Sequence, residues 1–282
     1  MGMLSMAVEL SHSGVPGHRA RRRYSQNFLR DRATIDRIVE AIAPQPGDHI
    51  VEIGPGRGAL TAPLLARCSR LTAVEIDRDL AQMLQQRFGP EQLTLMCTDA
   101  LKVDWATLAQ RAGGDLRIVG NLPYHISTPL LFAWLPIADQ VRDQHLMLQK
   151  EVVDRIVASA GRRDYGRLSV MLQFRYHVER LFNVAPGAFA PAPKVHSSVI
   201  RLVPRGRAEL ASEDTGAFSR VVTAAFGQRR KTLRNALASV LNDEEIRRAG
   251  VDPGARAETL DVAAFARLAL QLPSREAGRQ SG

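Results

Sequence analysis

The chain has 282 residues, 45% hydrophobic and 24% charged, the balance of a globular protein rather than a disordered or fibrous one. No stretch approaches the ~20 apolar residues of a bilayer-spanning helix. The two cysteines, Cys68 and Cys97, are too few for a disulfide framework, and neither sits at metal-ligand spacing. The net charge is +9, and only four of the 38 basic residues are lysine. Residues 151–235 carry 15 basic against 7 acidic groups, whereas 48–150 carry 10 against 11. Arginine clustered in this way points to a polyanionic partner, because it replaces counterions along a phosphate backbone. A GC-rich genome also enriches arginine, but it does not account for the clustering.

Residues 1–23 read as a flexible basic leader ending in Arg19, Arg21, Arg22 and Arg23. They lack the apolar core of a secretory signal, which makes the cytoplasm the expected compartment. Ile35, Ile38, Val39 and Ile42 recur at helical spacing, and Pro44 ends that helix. Short apolar runs at 49–53, 71–76, 93–97, 116–119 and 145–148 read as strands, and 59–67, 80–88, 129–135 and 152–158 as helices. This alternation predicts a doubly wound, mostly parallel α/β sheet. Two further β-rich runs, 174–184 and 197–203, have no helix between them and predict an antiparallel pair at the sheet edge. The pattern changes near Pro204-Arg205-Gly206, beyond which only helices are predicted, at 217–226, 229–241, 243–249 and 262–270. The expected division is therefore an α/β domain over 24–204 and a small all-α domain over 205–282.

The glycines of Glu52-Ile53-Gly54-Pro55-Gly56-Arg57-Gly58 stand at a strand-to-helix junction, where the backbone turns tightly and approaches a ligand closely. The spacing is G-x-G-x-G, not the G-x-G-x-x-G of dinucleotide enzymes. Glu52, just before the turn, would repel a pyrophosphate. Glu75, 21 residues after Gly54, ends the second strand, where an acid holds ribose hydroxyls. Asp99 follows the third strand and is placed to accept from an adenine amino group. A ribose-bearing ligand with a cationic centre and no phosphate fits this set, and S-adenosylmethionine is such a ligand.

Asn121-Leu122-Pro123-Tyr124 follows the fourth strand. The exocyclic amine of adenine is a poor nucleophile, because its lone pair is delocalised into the ring. Two acceptors on its N–H groups, the Asn121 side-chain carbonyl and the Leu122 backbone carbonyl, would draw the nitrogen towards tetrahedral geometry. Pro123 stiffens the turn and Tyr124 offers a ring to stack on the base. Catalysis is then chiefly positioning for in-line transfer.

Seven motifs in order, from about Tyr24 to Leu270, resemble the ribosomal RNA adenine N6,N6-dimethyltransferases, most closely their bacterial small-subunit branch. They are Ser25-Gln26-Asn27-Phe28-Leu29, Glu52–Gly58, Val74-Glu75-Ile76-Asp77, Asn121–Tyr124 with Ile126-Ser127-Thr128-Pro129, Tyr165–Val170, Phe189–Val195 and Gln228–Asn235. The resemblance implies a Rossmann-like methyltransferase domain using S-adenosylmethionine. Asn27 and Leu29 would close over the donor, and Gly54, Glu75, Asp99 and Asn121 would contact it. Tyr124 would stack on the target adenine, with Phe189 facing it from the other side. The implied substrate is a pair of adjacent adenosines in a hairpin loop near the 3′ end of 16S rRNA in the small subunit, each methylated twice. Loop bases are cheap to extrude. His125 and His196 depart from the family, which often has Asn and Asp there.

Lys194 and the cluster Arg229, Arg230, Lys231 and Arg234 are the expected phosphate contacts, with Arg162, Arg163 and Arg167 beside them. A monomer is expected. Rival readings are a resistance-type 23S rRNA adenine methyltransferase, a non-catalytic assembly factor on the same scaffold, and a DNA adenine methyltransferase. An assembly factor predicts an eroded donor site, and the Leu122 form of the reaction motif with the helical C-terminal segment separates the chain from the other two.

Overall fold

A computed structural model describes residues 27–210, 215–228 and 230–273. The leader and Arg229 lie outside the described residues. The α/β part runs β1 (Phe28–Leu29), α1 (Arg32–Ile42), β2 (His49–Ile53), α2 (Thr61–Leu65), β3 (Leu71–Glu75), α3 (Arg78–Arg87) and β4 (Leu93–Cys97). It continues with α4 (Trp105–Arg111), β5 (Leu116–Asn121), α5 (Ser127–Ala133), β6 (Val141–Gln149), α6 (Lys150–Ile156), α7 (Arg167–Arg175), β7 (Tyr176–Val184), β8 (Phe189–Ala190) and β9 (Ser197–Pro204). The helical part holds α8 (Thr215–Gly227), α9 (Leu233–Ala236), α10 (Asp243–Arg248) and α11 (Val262–Ala269).

Local chemistry sets these boundaries. Asp31 accepts from Thr34 N at 2.8 Å and starts α1, whose Ile35, Ile38, Val39 and Ile42 are buried. Ala43, in the left-handed region at φ 46°, ends it. Asp77 caps α3 in the same way, accepting from Asp79 N.

The main sheet has the order β4-β3-β2-β5-β6-β9-β7. The first five strands pair in parallel, and β9 and then β7 add antiparallel, forming the expected edge pair. From β2 the chain winds outward through β3 and β4, then returns to β5 on the other side, so the order reverses between β2 and β5. Ligands in such sheets bind outside the carboxyl ends of the strands at this reversal. At the opposite end, buried Arg117 donates to Asp143 at 2.9 and 2.8 Å and to Asp48 at 2.6 Å, tying β5 and β6 to the segment before β2. Removing one partner of such a buried cluster would leave an uncompensated charge in the core, which is costly.

Three differences from the sequence expectations have physical causes. The helix α4 was not anticipated, because only Trp105 and Ala109 of it are buried and the apolar period is faint. The helix α7 fell partly within a predicted β-rich run. It lies between two cores: Leu172 packs with the sheet, while Val170, Met171 and Phe174 pack with α8 and α11. Burial on both sides erases the 3.6-residue alternation. The predicted helix 229–241 is short, reduced to α9, because the N–H groups of Leu233 and Arg234 go to the carbonyls of Ala255 and Pro253 instead of continuing a helix. Leu233, Leu237 and Leu241 nevertheless pack inward, with Phe226 partly buried beside them.

Candidate active site

An open cleft lies at the carboxyl ends of β2, β3 and β5. Asn27, Leu29, Gly54, Glu75, Asp99, Asn121, Leu122, Pro123 and Tyr124 all line it, so nine of the expected site residues meet in one place.

The donor side is built on the turn after β2. Gly54, Gly56 and Gly58 have φ of +63°, +58° and +79°, which side chains strain to adopt. A Cβ on Gly56 would also lie 3.2 Å from the Phe28 ring. Glu75 locks the turn in place: Oε2 accepts from Gly56 N at 3.1 Å and Oε1 from Asp77 N at 2.9 Å. Each carboxylate oxygen has a second lone pair, so Glu75 keeps capacity for ribose hydroxyls. Burial pushes its carboxyl above the usual range, against the pull of those two N–H groups. Asp99 is held at the rim by accepting from Leu101 N at 3.0 Å.

Glu52 is 2% exposed and accepts from the Thr61 hydroxyl at 2.6 Å. Burial, eased by Thr61 and reinforced by the charge of Glu75, pushes its carboxyl up to about 7. Two buried acids on one cleft suit a cationic ligand and disfavour a phosphate. The raised value has a measurable consequence for the free protein. The unfolded chain releases the Glu52 proton near 4.5, whereas the folded chain holds it to about 7. The unfolded state therefore binds fewer protons across that window, and stability falls as pH rises through it. Glu52→Gln, compared with wild type by thermal unfolding at pH 5 and pH 7.5, is expected to remove that loss, roughly 2 kcal/mol over this window at 1.36 kcal/mol per pKa unit.

The acceptor side grows out of β5. Asn121 is the last residue of that strand, and its Nδ2 donates to the Asn27 carbonyl at 3.3 Å, leaving Oδ1 as the acceptor. Leu122 is 1% exposed and its N–H is tied to the Met147 carbonyl of β6 at 3.1 Å. Past Pro123 the turn closes as Ile126 N donates to the Pro123 carbonyl and the Ser127 hydroxyl to the Tyr124 carbonyl, both at 3.1 Å. Tyr124 is half-buried, with its hydroxyl 3.2 Å from Ser197 Oγ.

Other expected residues are not brought into the cleft. Phe189 is not among the residues that line the cleft: it is 2% exposed, packed in the same core cluster as Leu29, and β8 pairs antiparallel with β1 in the register Leu29↔Phe189. Lys194 is exposed on the loop before β9, and Arg230 and Lys231 are exposed in the turn before α9. Arg234 is not a free cation, since its Nε pairs with Asp243 Oδ2 at 2.7 Å. Conversely, Ile76 was missed. It is 42% exposed and presents an apolar face on the cleft between Glu75 and Asp77. A strand assigned one residue too long, to 76 instead of Glu75, hid it; the signal was an isoleucine placed just where the chain leaves the sheet.

Comparison with known proteins agrees with this geometry. The sequence profile of the family described as Ribosomal RNA adenine dimethylase matches residues 17–273. A Ribosomal RNA small subunit methyltransferase A of Thiobacillus denitrificans is 55% identical over 258 residues, 92% of this chain and 100% of that one. One from Aromatoleum aromaticum is 56% identical over 248 residues, 88% of this chain and 92% of that one. Among solved structures, a dimethyladenosine transferase from Plasmodium falciparum shares the fold at TM-score 0.73 and 24% identity, covering 86% of this chain and 96% of that one. The 23S rRNA methyltransferase ErmE superposes at TM-score 0.66 and 28% identity, covering 87% and 99%. With S-adenosylmethionine as the methyl donor its cleft suits, the chain belongs to the ribosomal RNA adenine dimethylase family.

Proposed function

We propose that the protein dimethylates N6 of two adjacent adenosines in the 3′-terminal hairpin loop of 16S rRNA, acting as a cytoplasmic monomer on the small subunit or its precursor. The observation that carries this reading is the convergence of Glu75, Asp99 and Asn121–Tyr124 on one cleft. Relatives above 50% identity that are named small subunit methyltransferases support the small subunit as its setting.

The donor supplies an electrophilic methyl group: for each transfer an N–C bond forms at N6, the S–C bond breaks with its electron pair kept by sulfur, and one N6 proton leaves to solvent. The protein's part is placement. Glu75 and Asp99 hold the ribose and adenine of the donor, while Gly54 and Gly56 let the backbone approach it. Glu52, which holds its proton to about 7 in the free protein, would release it beside the cationic end of the donor. Asn121 Oδ1 and the Leu122 carbonyl accept from the target amine, and the Tyr124 ring stacks on the base. Asn27 and Leu29 wall the donor in. No tuned general base is needed, because the nitrogen loses its proton only after it attacks.

We take 24–204 as the catalytic unit and 205–282 as the helical unit that helps to grip RNA. Lys194, Arg230 and Lys231 are the phosphate contacts of this reading, together with Arg229. Arg230→Ala and Lys231→Ala are each expected to weaken RNA binding and to lower the slope of log affinity against log salt by about 1. Arg234→Ala, whose partner is Asp243, is expected to leave that slope unchanged and to cost at most ~1 kcal/mol of stability. Nitrocellulose filter binding at several salt concentrations checks both.

The substrate class is tested by offering labelled S-adenosylmethionine with small subunits, large subunits and naked 16S rRNA, each lacking the modification. Label is expected in the small subunit. Label confined to large-subunit RNA would place the protein with the 23S enzymes, and tight small-subunit binding without label would make it an assembly factor.

A further inference from the structure

The reaction motif ends in a ring that the sheet itself does not hold. Tyr124 lies in the turn between β5 and α5, half-buried, and a tyrosine ring on such a turn is free to swing about its side-chain torsions. Its far end, however, meets Ser197 Oγ at 3.2 Å. Ser197 is the opposite case: it is fully buried, it opens β9, and its backbone is paired on both sides, with Gln149 of β6 and Val184 of β7. A hydroxyl anchored in three strands therefore touches the tip of the one aromatic residue in the reaction motif. The same stretch of chain also reaches the donor side, because β8 pairs with β1, and Phe28 and Leu29 of β1 wall the cleft.

We propose that Ser197 is a positioning residue for methyl transfer: its hydroxyl tethers the far end of the Tyr124 ring against swinging, and through it holds the adenine stacked there in place. This rests on the proposed function, in which that ring receives the target base. The physical requirement is angular. N6 must meet the methyl carbon in line, and a base that rocks with an untethered ring spends less time at that angle. Binding of the RNA as a whole depends on phosphates and hairpin shape, so it does not register the loss of the tether.

Single-turnover transfer and stacking are read on the same set of proteins: wild type, Ser197→Ala, Ser197→Thr, Tyr124→Phe and the double variant Ser197→Ala/Tyr124→Phe. Stacking is read with small-subunit RNA carrying 2-aminopurine, whose fluorescence falls on stacking, at the target position. Ser197→Ala and Tyr124→Phe are each expected to slow transfer about fivefold, the weight of one neutral hydrogen bond. Each is also expected to raise the fluorescence of the bound probe, with RNA affinity unchanged. The double variant is expected to be no slower than either single one, since both remove the same bond. Ser197→Thr, which keeps the hydroxyl, is expected to restore stacking. Wild-type stacking and rate in both single variants would overturn the proposal, as would effects that multiply in the double variant. Tyr124→Phe deletes the bond from the less buried side, so the answer does not depend on how Ser197→Ala folds. Failure of the wild-type protein to methylate small subunits contradicts the proposed function instead; a fluorescence change confined to the hydroxyl deletions reads Ser197 separately.

Discussion

Replacing Asn121 by alanine is expected to lower single-turnover methyl transfer by roughly 10²–10³-fold while RNA binding persists, the size of effect seen when a reacting group loses its in-line placement or an oriented polar partner. Two losses combine in that one substitution. The side-chain carbonyl that accepts from the target amine disappears. So does the Nδ2 donor to Asn27, which ties the end of β5 to the chain just before β1. The backbone at Asn121 stays paired with Met147 of β6, so the strand end keeps its place and the folded protein still presents its basic surface. Labelled transfer, measured beside filter binding, separates the two. A fall in RNA affinity equal to the fall in rate would mean that Asn121 binds the substrate rather than orients it.

The second large effect concerns a residue that touches no ligand. Gly120 sits opposite Ile53 where β5 passes β2, and a Cβ there would stand 2.5 Å from the Ile53 carbonyl oxygen and 3.2 Å from its nitrogen. Both are backbone atoms in the centre of the sheet, so no side chain can rotate aside. Gly120→Ala is therefore expected to cost about 3 kcal/mol or more, at the upper end for overpacking. In a chain of this size that corresponds to a fall in melting temperature of about 6–12 °C. Activity is expected to fall further than stability, because prising β2 from β5 separates the donor turn from Asn121. Gly89→Ala provides the contrast: a Cβ there meets nothing within 4 Å, and its melting temperature is expected to stay close to wild type.

How much of this was legible beforehand depended on whether a residue's role was local. The donor turn was legible, because positive φ at Gly54, Gly56 and Gly58 leaves a glycine pattern that little else explains. The sheet was legible because buried parallel strands read as continuous apolar runs. Glu75 and Asp99 could be placed because each falls at or just past a strand end, where open α/β sheets put their ligands. Roles set by distant partners were not legible. Arg234 reads as one more cation on a basic helix until the break before α9 brings it to Asp243. Phe189, expected at the base from family resemblance, is drawn into the core by the pairing of β8 with β1, two strands of two residues each. The apolar wall at Ile76 and the Ser197 contact with Tyr124 depend on where separate loops come to rest, which no periodicity records.

The central claim is dimethylation of two neighbouring adenosines through this cleft, and nucleoside analysis of the product tests it most directly. Small subunits lacking the modification are incubated with the protein and S-adenosylmethionine, and the rRNA is digested and resolved by mass. The expected product is N6,N6-dimethyladenosine at two adjacent positions of the 3′-terminal hairpin loop of 16S rRNA, formed at least about a hundredfold more slowly by the Asn121→Ala protein. Unmodified loop adenosines, or N6,N6-dimethyladenosine found only in the large subunit, would contradict it.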